Sequence, residues 1–184
     1  SDEVYGRLVY EGTRAPSFLD HARPDDLLMV INSFSKTWAM TGWRLGWIVG
    51  PAFMDDKIRH LSIYNNLCVA PFTQYAGIVA LRDGEEFIQN QLNLWRKSRD
   101  LVMEKLGTHE RVLITRPASS FYAFFRVKGE DDCIAFCKRL IDEAGLSLAP
   151  GITFGECSKG YIRMSFACSR AKMERALERL LEVI

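Results

Sequence analysis

The sequence has no apolar run approaching the ~20 residues that a membrane-spanning helix needs, and its 184 residues carry a net charge of only +1. The first absence argues against a spanning helix. The second leaves no field strong enough to draw the chain to nucleic acid or to a membrane surface. Internal repeats and low-complexity tracts are missing too, which removes solenoids and extended linkers. Metal-ligand spacing is also lacking. The five cysteines (Cys68, Cys133, Cys137, Cys157 and Cys168) are odd in number, and His21, His60 and His109 lie far from the Cys133–Cys137 pair. We read them as reduced structural thiols of a cytosolic protein, not as a metal site or disulfide framework. No basic-then-apolar leader opens the sequence. It starts Ser1-Asp2-Glu3-Val4-Tyr5, without methionine, as though in the middle of a longer chain.

What is present is ordinary globular material: 48% apolar residues and 26% charged, enough for one sizeable core or one and a half domains. The run Leu27 to Ile31 is short, continuous and apolar, as in a strand buried on both faces of a parallel sheet. Arg44 to Val49 reads as a second strand, closed by Gly50-Pro51. A helix carrying Met54, Ile58 and Leu61 inward is expected next. Pro71 then opens another helix, with Tyr75, Val79 and Arg82 on one side. Ile88, Leu92, Trp95, Arg99, Val102 and Leu106 form one stripe of a long helix ending at Gly107.

The pattern then changes to a smaller α+β arrangement. Arg111 to Arg116 and Phe121 to Val127 read as strands around a turn at Pro117 to Ser120. A helix begins at Asp131-Asp132, with Cys133, Cys137, Leu140, Ile141 and Ala144 inward, and stops at Gly145 as a left-handed cap. From Tyr161 to Ala167, Ile162, Met164 and Phe166 point one way while Arg163 and Ser165 point the other. The last helix starts at Ser169 and is expected to bury Met173, Ala176, Leu177, Leu180 and Ile184. The domain division predicted is 1–97 for the first part with its linking helix and 98–184 for the small domain.

The chemistry concentrates around Lys36, just past the first apolar run, where open α/β sheets place their ligands. A lysine at its usual pKa of about 10.4 is a poor nucleophile. Burial and neighbouring cations free the amine to form an imine with an aldehyde. Ser33, Ser35 and Arg44 supply hydroxyl donors and a charge-assisted fork suited to a phosphate dianion. An aldehyde on a phosphorylated ring is pyridoxal phosphate. Asp2 and Tyr5 would then offer an anion for the ring nitrogen and a donor for the ring hydroxyl. Two other readings compete. Ser33-Phe34-Ser35-Lys36 fits the S-x-x-K motif of acyl-serine enzymes, but the accompanying S-D-N and K-T-G are absent. The plainer reading is a solvated loop lysine beside a surface Asp and Tyr.

Taken together, Asp2-Glu3-Val4-Tyr5, Ser33-Phe34-Ser35-Lys36 and Met40-Thr41-Gly42-Trp43-Arg44-Leu45-Gly46 resemble the class I/II aminotransferases of the fold-type I pyridoxal-phosphate enzymes. Pro117 to Phe124, Pro150-Gly151, Phe154-Gly155 and Gly160 to Ala167 resemble further motifs of that family, in the right order. The resemblance implies an α/β fold: an incomplete, mainly parallel large-domain sheet plus a C-terminal α+β small domain. It implies that Lys36 forms the aldimine and moves the substrate's alpha proton. Asp2 would pair with the pyridine nitrogen, and Tyr5 would bond the ring oxygen. Ser33, Ser35 and Arg44 would hold the phosphate, and Arg163 the substrate's alpha-carboxylate. Thr73 and Gln74 are candidates to approach a partner subunit's phosphate. Where the family has glycine, Ser119 stands here, at a turn that favours positive φ.

The family's subunit is roughly twice this length. The resemblance therefore implies the C-terminal half of a larger enzyme, homodimeric and cytoplasmic, with the other half of the same protein as partner and an inactive isolated piece. The implied substrates are an amino acid and a 2-oxo acid. A carbon–sulfur lyase or cyclopropane-forming synthase with the same cofactor, and the non-catalytic effector-sensing domain of a transcription regulator, stay open as alternatives.

Overall fold

A computed structural model describes all residues from Ser1 to Ile184, which pack as two units, Ser1–Leu92 and Asn93–Ile184. In the first, β1 (Val30–Ser33) pairs antiparallel with β2 (Gly46–Val49), setting Val30 opposite Val49 and Ser33 opposite Gly46. The other edge of β1 takes a parallel bridge from Asp2 to Ile31. There the Ile31 N–H donates to Ser1 O at 2.8 Å and the Glu3 N–H to Ile31 O at 2.9 Å. The strand differs from the expectation of burial on both faces. It starts at Val30, which is buried, while Leu27 is 88% exposed and Ile31 is also exposed. Nothing within this unit covers the second face.

The four-residue α1 (Phe34–Thr37) follows β1 directly. β2 begins two residues later than the sequence suggests. The Thr41–Trp43 turn ends with Arg44 in left-handed backbone (φ 52°, ψ 46°), which cannot belong to a strand. In α2 (Asp55–Asn66) the expected inward face is not buried: Ile58 is half-buried and Leu61 is exposed. In α3 (Pro71–Asp83) the proline sits in the first turn, where its missing N–H costs nothing. Tyr75 and Val79 face out. The opposite side, with Ala76, Gly77 and Ala80, meets the core of Phe34, Met40 and Leu45. Gly77 is required by that approach, since a Cβ there would lie 2.5 Å from Leu45 Cδ2.

α4 (Glu85–Leu106) is the 22-residue helix that the stripe predicts. Ile88, Leu92, Trp95, Arg99, Val102 and Leu106 are all buried.

The second unit holds a four-stranded antiparallel sheet in the order β3-β4-β6-β5, made of β3 (Val112–Ile114), β4 (Tyr122–Val127), β5 (Ala149–Pro150) and β6 (Tyr161–Ser165). Ala123, Phe125 and Val127 alternate inward along β4, as do Ile162 and Met164 along β6. Buried residues of α5 (Cys133–Ala144) and α6 (Arg170–Val183) complete the core: Phe136, Leu140, Met173, Leu177 and Leu180.

The caps are legible in atoms. Asp132 accepts the N–H groups of Ile134 and Ala135, Ser169 accepts that of Lys172, and Gly145 ends α5 at φ 63°. One inward assignment fails: Ile141 is 52% exposed, and Phe136 takes the buried edge of that face. Ala176 and Ile184 are only half-buried. The positive φ in the turn before β4 falls on Ser120 (62°), not on Ser119. Burial, with Cys133 alongside, pushes the Cys137 thiol up to about 11, so it stays protonated.

Candidate active site

The end of β1 builds the site. Ser33 leaves the strand extended (φ −150°, ψ 149°) and caps α1, its Oγ accepting the Ser35 N–H at 3.0 Å. Ser33 Oγ also lies 2.9 Å from Ser35 Oγ and 3.1 Å from Leu45 O. One hydroxyl proton serves one acceptor. The Ser33 hydroxyl is placed to donate either to Ser35 Oγ or to the Leu45 carbonyl. The Phe34 N–H donates to the same carbonyl at 3.1 Å, so β2 holds the start of α1 in place. Phe34 anchors it from below, with ring centroids 4.9 Å from Trp38 and 5.2 Å from Trp47. The three tryptophans around Lys36 are thus explained in part by packing: Trp38 and Trp47 flank a buried phenylalanine, while Trp43 stays exposed.

Lys36 is half-buried between Ser35 and Thr37, which are both buried, and its amine has neither an acid partner nor a side-chain hydrogen bond. Arg44 is exposed, and its guanidinium donates only to Thr41 O, at 2.9 Å. A non-glycine residue held in the left-handed region costs of order 1–2 kcal/mol. Ala39 shares the feature at φ 53°, so two strained residues bracket this loop.

Two open hollows meet at Arg44. One, of about 490 Å³, is shared with Ser33, Ile31 and Ile48 of the exposed sheet face and with Ile58 and Ser62 of α2. The other, of about 860 Å³, is shared with Ala39, Asn66 and Thr73. Thr73 Oγ1 donates to Ala70 O at 2.7 Å, and Gln74 Nε2 to Val69 O at 2.8 Å.

Asp2 is exposed, and its Oδ1 accepts the Val4 N–H at 3.2 Å. Bridge partners project to one side of a sheet, and so do residues two apart on a strand. Asp2, Ile31 and Ser33 therefore share the exposed face of β1. Tyr5 is half-buried in the tight turn that follows. The hollows bring Ser33 and Arg44 together; Lys36, Asp2 and Tyr5 line neither.

In the second unit, Arg163 lies on β6 with Ile162 and Met164 facing the opposite way. Its guanidinium carbon is 4.1 Å from the Tyr122 ring centroid and 4.3 Å from that of Phe154. Sequence reading did not single out these two rings. The alternation of β4 was the available signal, since it sets Tyr122 and Phe124 opposite to the buried Ala123 and Phe125.

The aminotransferase class I and II family model matches residues 1–180. The chain is 35% identical to aromatic-amino-acid aminotransferase 2 of Thermococcus litoralis, over all of this chain and 48% of that protein. It is 34% identical to the aspartate aminotransferase of Pyrococcus abyssi, with the same shares covered. The crystal structure of an aromatic aminotransferase from Pyrococcus horikoshii superposes with a TM-score of 0.90 at 32% identity, covering 99% of this chain and 49% of that one. The chain thus spans about half the length of the curated relatives it matches. It carries part of the fold-type I architecture seen in those relatives, and it belongs to the class I and II aminotransferase family.

Proposed function

We propose that the protein catalyses transamination between an amino acid and a 2-oxo acid, with pyridoxal phosphate as cofactor and Lys36 as its attachment point. The observation that carries this reading is the setting of Lys36: a half-buried, unpaired amine between two buried hydroxyl residues, directly after a strand end. The donor set fits the cofactor. Ser33, Ser35 and Arg44 suit a phosphate ester, and the left-handed backbone of Arg44 is the kind of strain that a binding site retains.

When bound, pyridoxal phosphate supplies an electron sink for the pair released as the substrate's alpha C–H bond breaks. Lys36 Nζ would be the cofactor's attachment point, joining the aldehyde carbon with loss of water, and, once the substrate's amine replaces it there, would take up and return the proton of the substrate's alpha carbon. The Asp2 carboxylate holds a proton on the ring nitrogen, and the Tyr5 hydroxyl donates to the ring oxygen. Ser33, Ser35 and Arg44 grip the phosphate, and Arg163 the substrate's alpha-carboxylate. The family likeness further supports a homodimer, and the buried, unbridged Cys133 and Cys137 thiols support a cytoplasmic location.

The test uses the protein as it occurs in its cell. With pyridoxal phosphate it is expected to gain an absorption band near the visible edge, which borohydride fixes on the peptide carrying Lys36. Lys36→Ala is expected to lose both the band and at least about 10³-fold of the activity. An unchanged spectrum in that variant overturns the assignment. Glutamate formed from 2-oxoglutarate supports transamination; ammonia and pyruvate would favour the lyase.

A further inference from the structure

The outer face of the β4–β6 pair is an aromatic shelf. Tyr122 and Phe124 stand on β4 and Tyr161 on β6, and Phe154 reaches in from the Gly151–Phe154 turn. Phe124 stacks on Tyr161 at 5.0 Å and 11°, and meets Phe154 edge-on at 6.2 Å. Two arginines stand on this face. Arg126 has an acid partner, donating to Asp131 at 3.0 Å. Arg163 has none.

Instead, the Arg163 guanidinium carbon lies over the Tyr122 ring and over the Phe154 ring. A ring face attracts a guanidinium electrostatically but accepts nothing from its edge. Two ring contacts therefore restrict the position of the group without consuming its N–H donors, which are left for a planar acceptor. A carboxylate is such an acceptor, through two parallel N–H···O bonds. An acid partner in place of the rings would hold the arginine by consuming those same donors.

We propose that Tyr122 and Phe154 are positioning residues that set the Arg163 guanidinium for edge-on capture of a carboxylate. This rests on the reading of Arg163 as the carboxylate-binding residue. The two supports differ in build. Tyr122 opens β4 and pairs with Ser165 at the end of the β4–β6 ladder, whereas Phe154 is 46% exposed on a short turn that ends at Gly155 with φ 124°. Phe154 can thus be altered with little effect on the fold.

The test measures, by calorimetry on the cofactor-loaded protein, the Kd of propanoate and of its uncharged amide. Arg163→Leu is expected to abolish the preference for the acid. Phe154→Leu and Tyr122→Leu are each expected to weaken propanoate binding about 5-fold, the upper range of a cation–ring contact at an exposed site. Tyr122→Phe keeps the ring and is expected to stay within about 2-fold of the parent. Binding of the amide should not move in any of these variants. In turnover, the leucine variants raise KM for the amino acid while the cofactor's absorption band is unchanged. If Arg163→Leu loses the preference but both leucine variants bind propanoate as the parent does, the positioning role is overturned and the arginine's own role stands. If Arg163→Leu keeps the preference, the underlying reading of Arg163 fails and this proposal falls with it. Phe154→Leu decides the matter should Tyr122→Leu not fold.

Discussion

The two units treat the same kind of sequence signal differently. In Asn93–Ile184, apolar periodicity becomes burial: Leu140, Leu177 and Leu180, on two different helices, are at most 1% exposed. In Ser1–Leu92, the more weakly amphipathic α2 leaves Leu61 62% exposed and Tyr64 89% exposed. What separates them is a second layer. The inner β4–β6 face is covered by helices of its own unit, whereas the outer face of the β1–β2 pair carries Ile31 and Ile48 uncovered. Periodicity reports that a face is apolar. Only tertiary structure reports what lies on it.

The sharpest way to break this contrast is a paired deletion. Leu140→Ala is expected to cost about 3–4 kcal/mol in denaturant unfolding, through lost transfer energy and a cavity. Leu61→Ala is expected to stay within about 0.5 kcal/mol. Equal costs would mean that α2 is covered after all.

Gly77→Ala comes next. The new methyl must displace Leu45 Cδ2 at 2.5 Å and crowd Phe34 Cζ at 3.2 Å. A gain in helix propensity of nearly 1 kcal/mol partly offsets overpacking of about 1–3 kcal/mol, leaving a net loss of up to about 2 kcal/mol. Because Leu45 O anchors both Ser33 and Phe34, a titration should also show weaker binding of inorganic phosphate.

Ser120→Gly works in the opposite direction in the other unit. It relieves a positive φ and is expected to stabilise by up to about 1 kcal/mol, seen as a rise in Tm.

The smallest expected effect lies at Asp20. The Arg14 guanidinium holds its carboxyl down at about 2, against an ordinary 3.8. The folded value is depressed, so the pair's contribution is fully present above the unfolded value and is lost as pH falls through about 2. NMR titration should show the Asp20 carboxyl returning toward the ordinary value in Arg14→Ala, with any small loss of stability seen above the ordinary value and none below pH about 2.

Legibility followed physical redundancy. The long helix over Glu85–Leu106 was readable because its stripe repeats over about five turns, and the β6 strand because its alternation is strict. Ile141 was misplaced because it borders the buried face of its helix, where Phe136 and Leu140 fill the space. Leu27 was misplaced because a continuous apolar run does not say where a strand starts. The three-residue turns at Phe18–Asp20 and Thr41–Trp43 are too short for any period.

At the candidate site, the residue types around Lys36 and on the outer side of β6 were legible. The left-handed turn that aims Arg44, the shared carbonyl of Leu45 and the rings around Arg163 were not. They depend on backbone conformation and on contacts between distant segments.

The serine couple has one consequence for selectivity. On the proposed reading of this loop as a phosphate site, the Ser33 hydroxyl is a rotor with one proton and two neutral resting acceptors, Ser35 Oγ and the Leu45 carbonyl. An arriving dianion needs only a spin about one C–O bond to gain a charge-assisted contact in exchange for a neutral one. A neutral visitor offers no such gain, so the loop would tell the two apart before any larger part of the chain had moved.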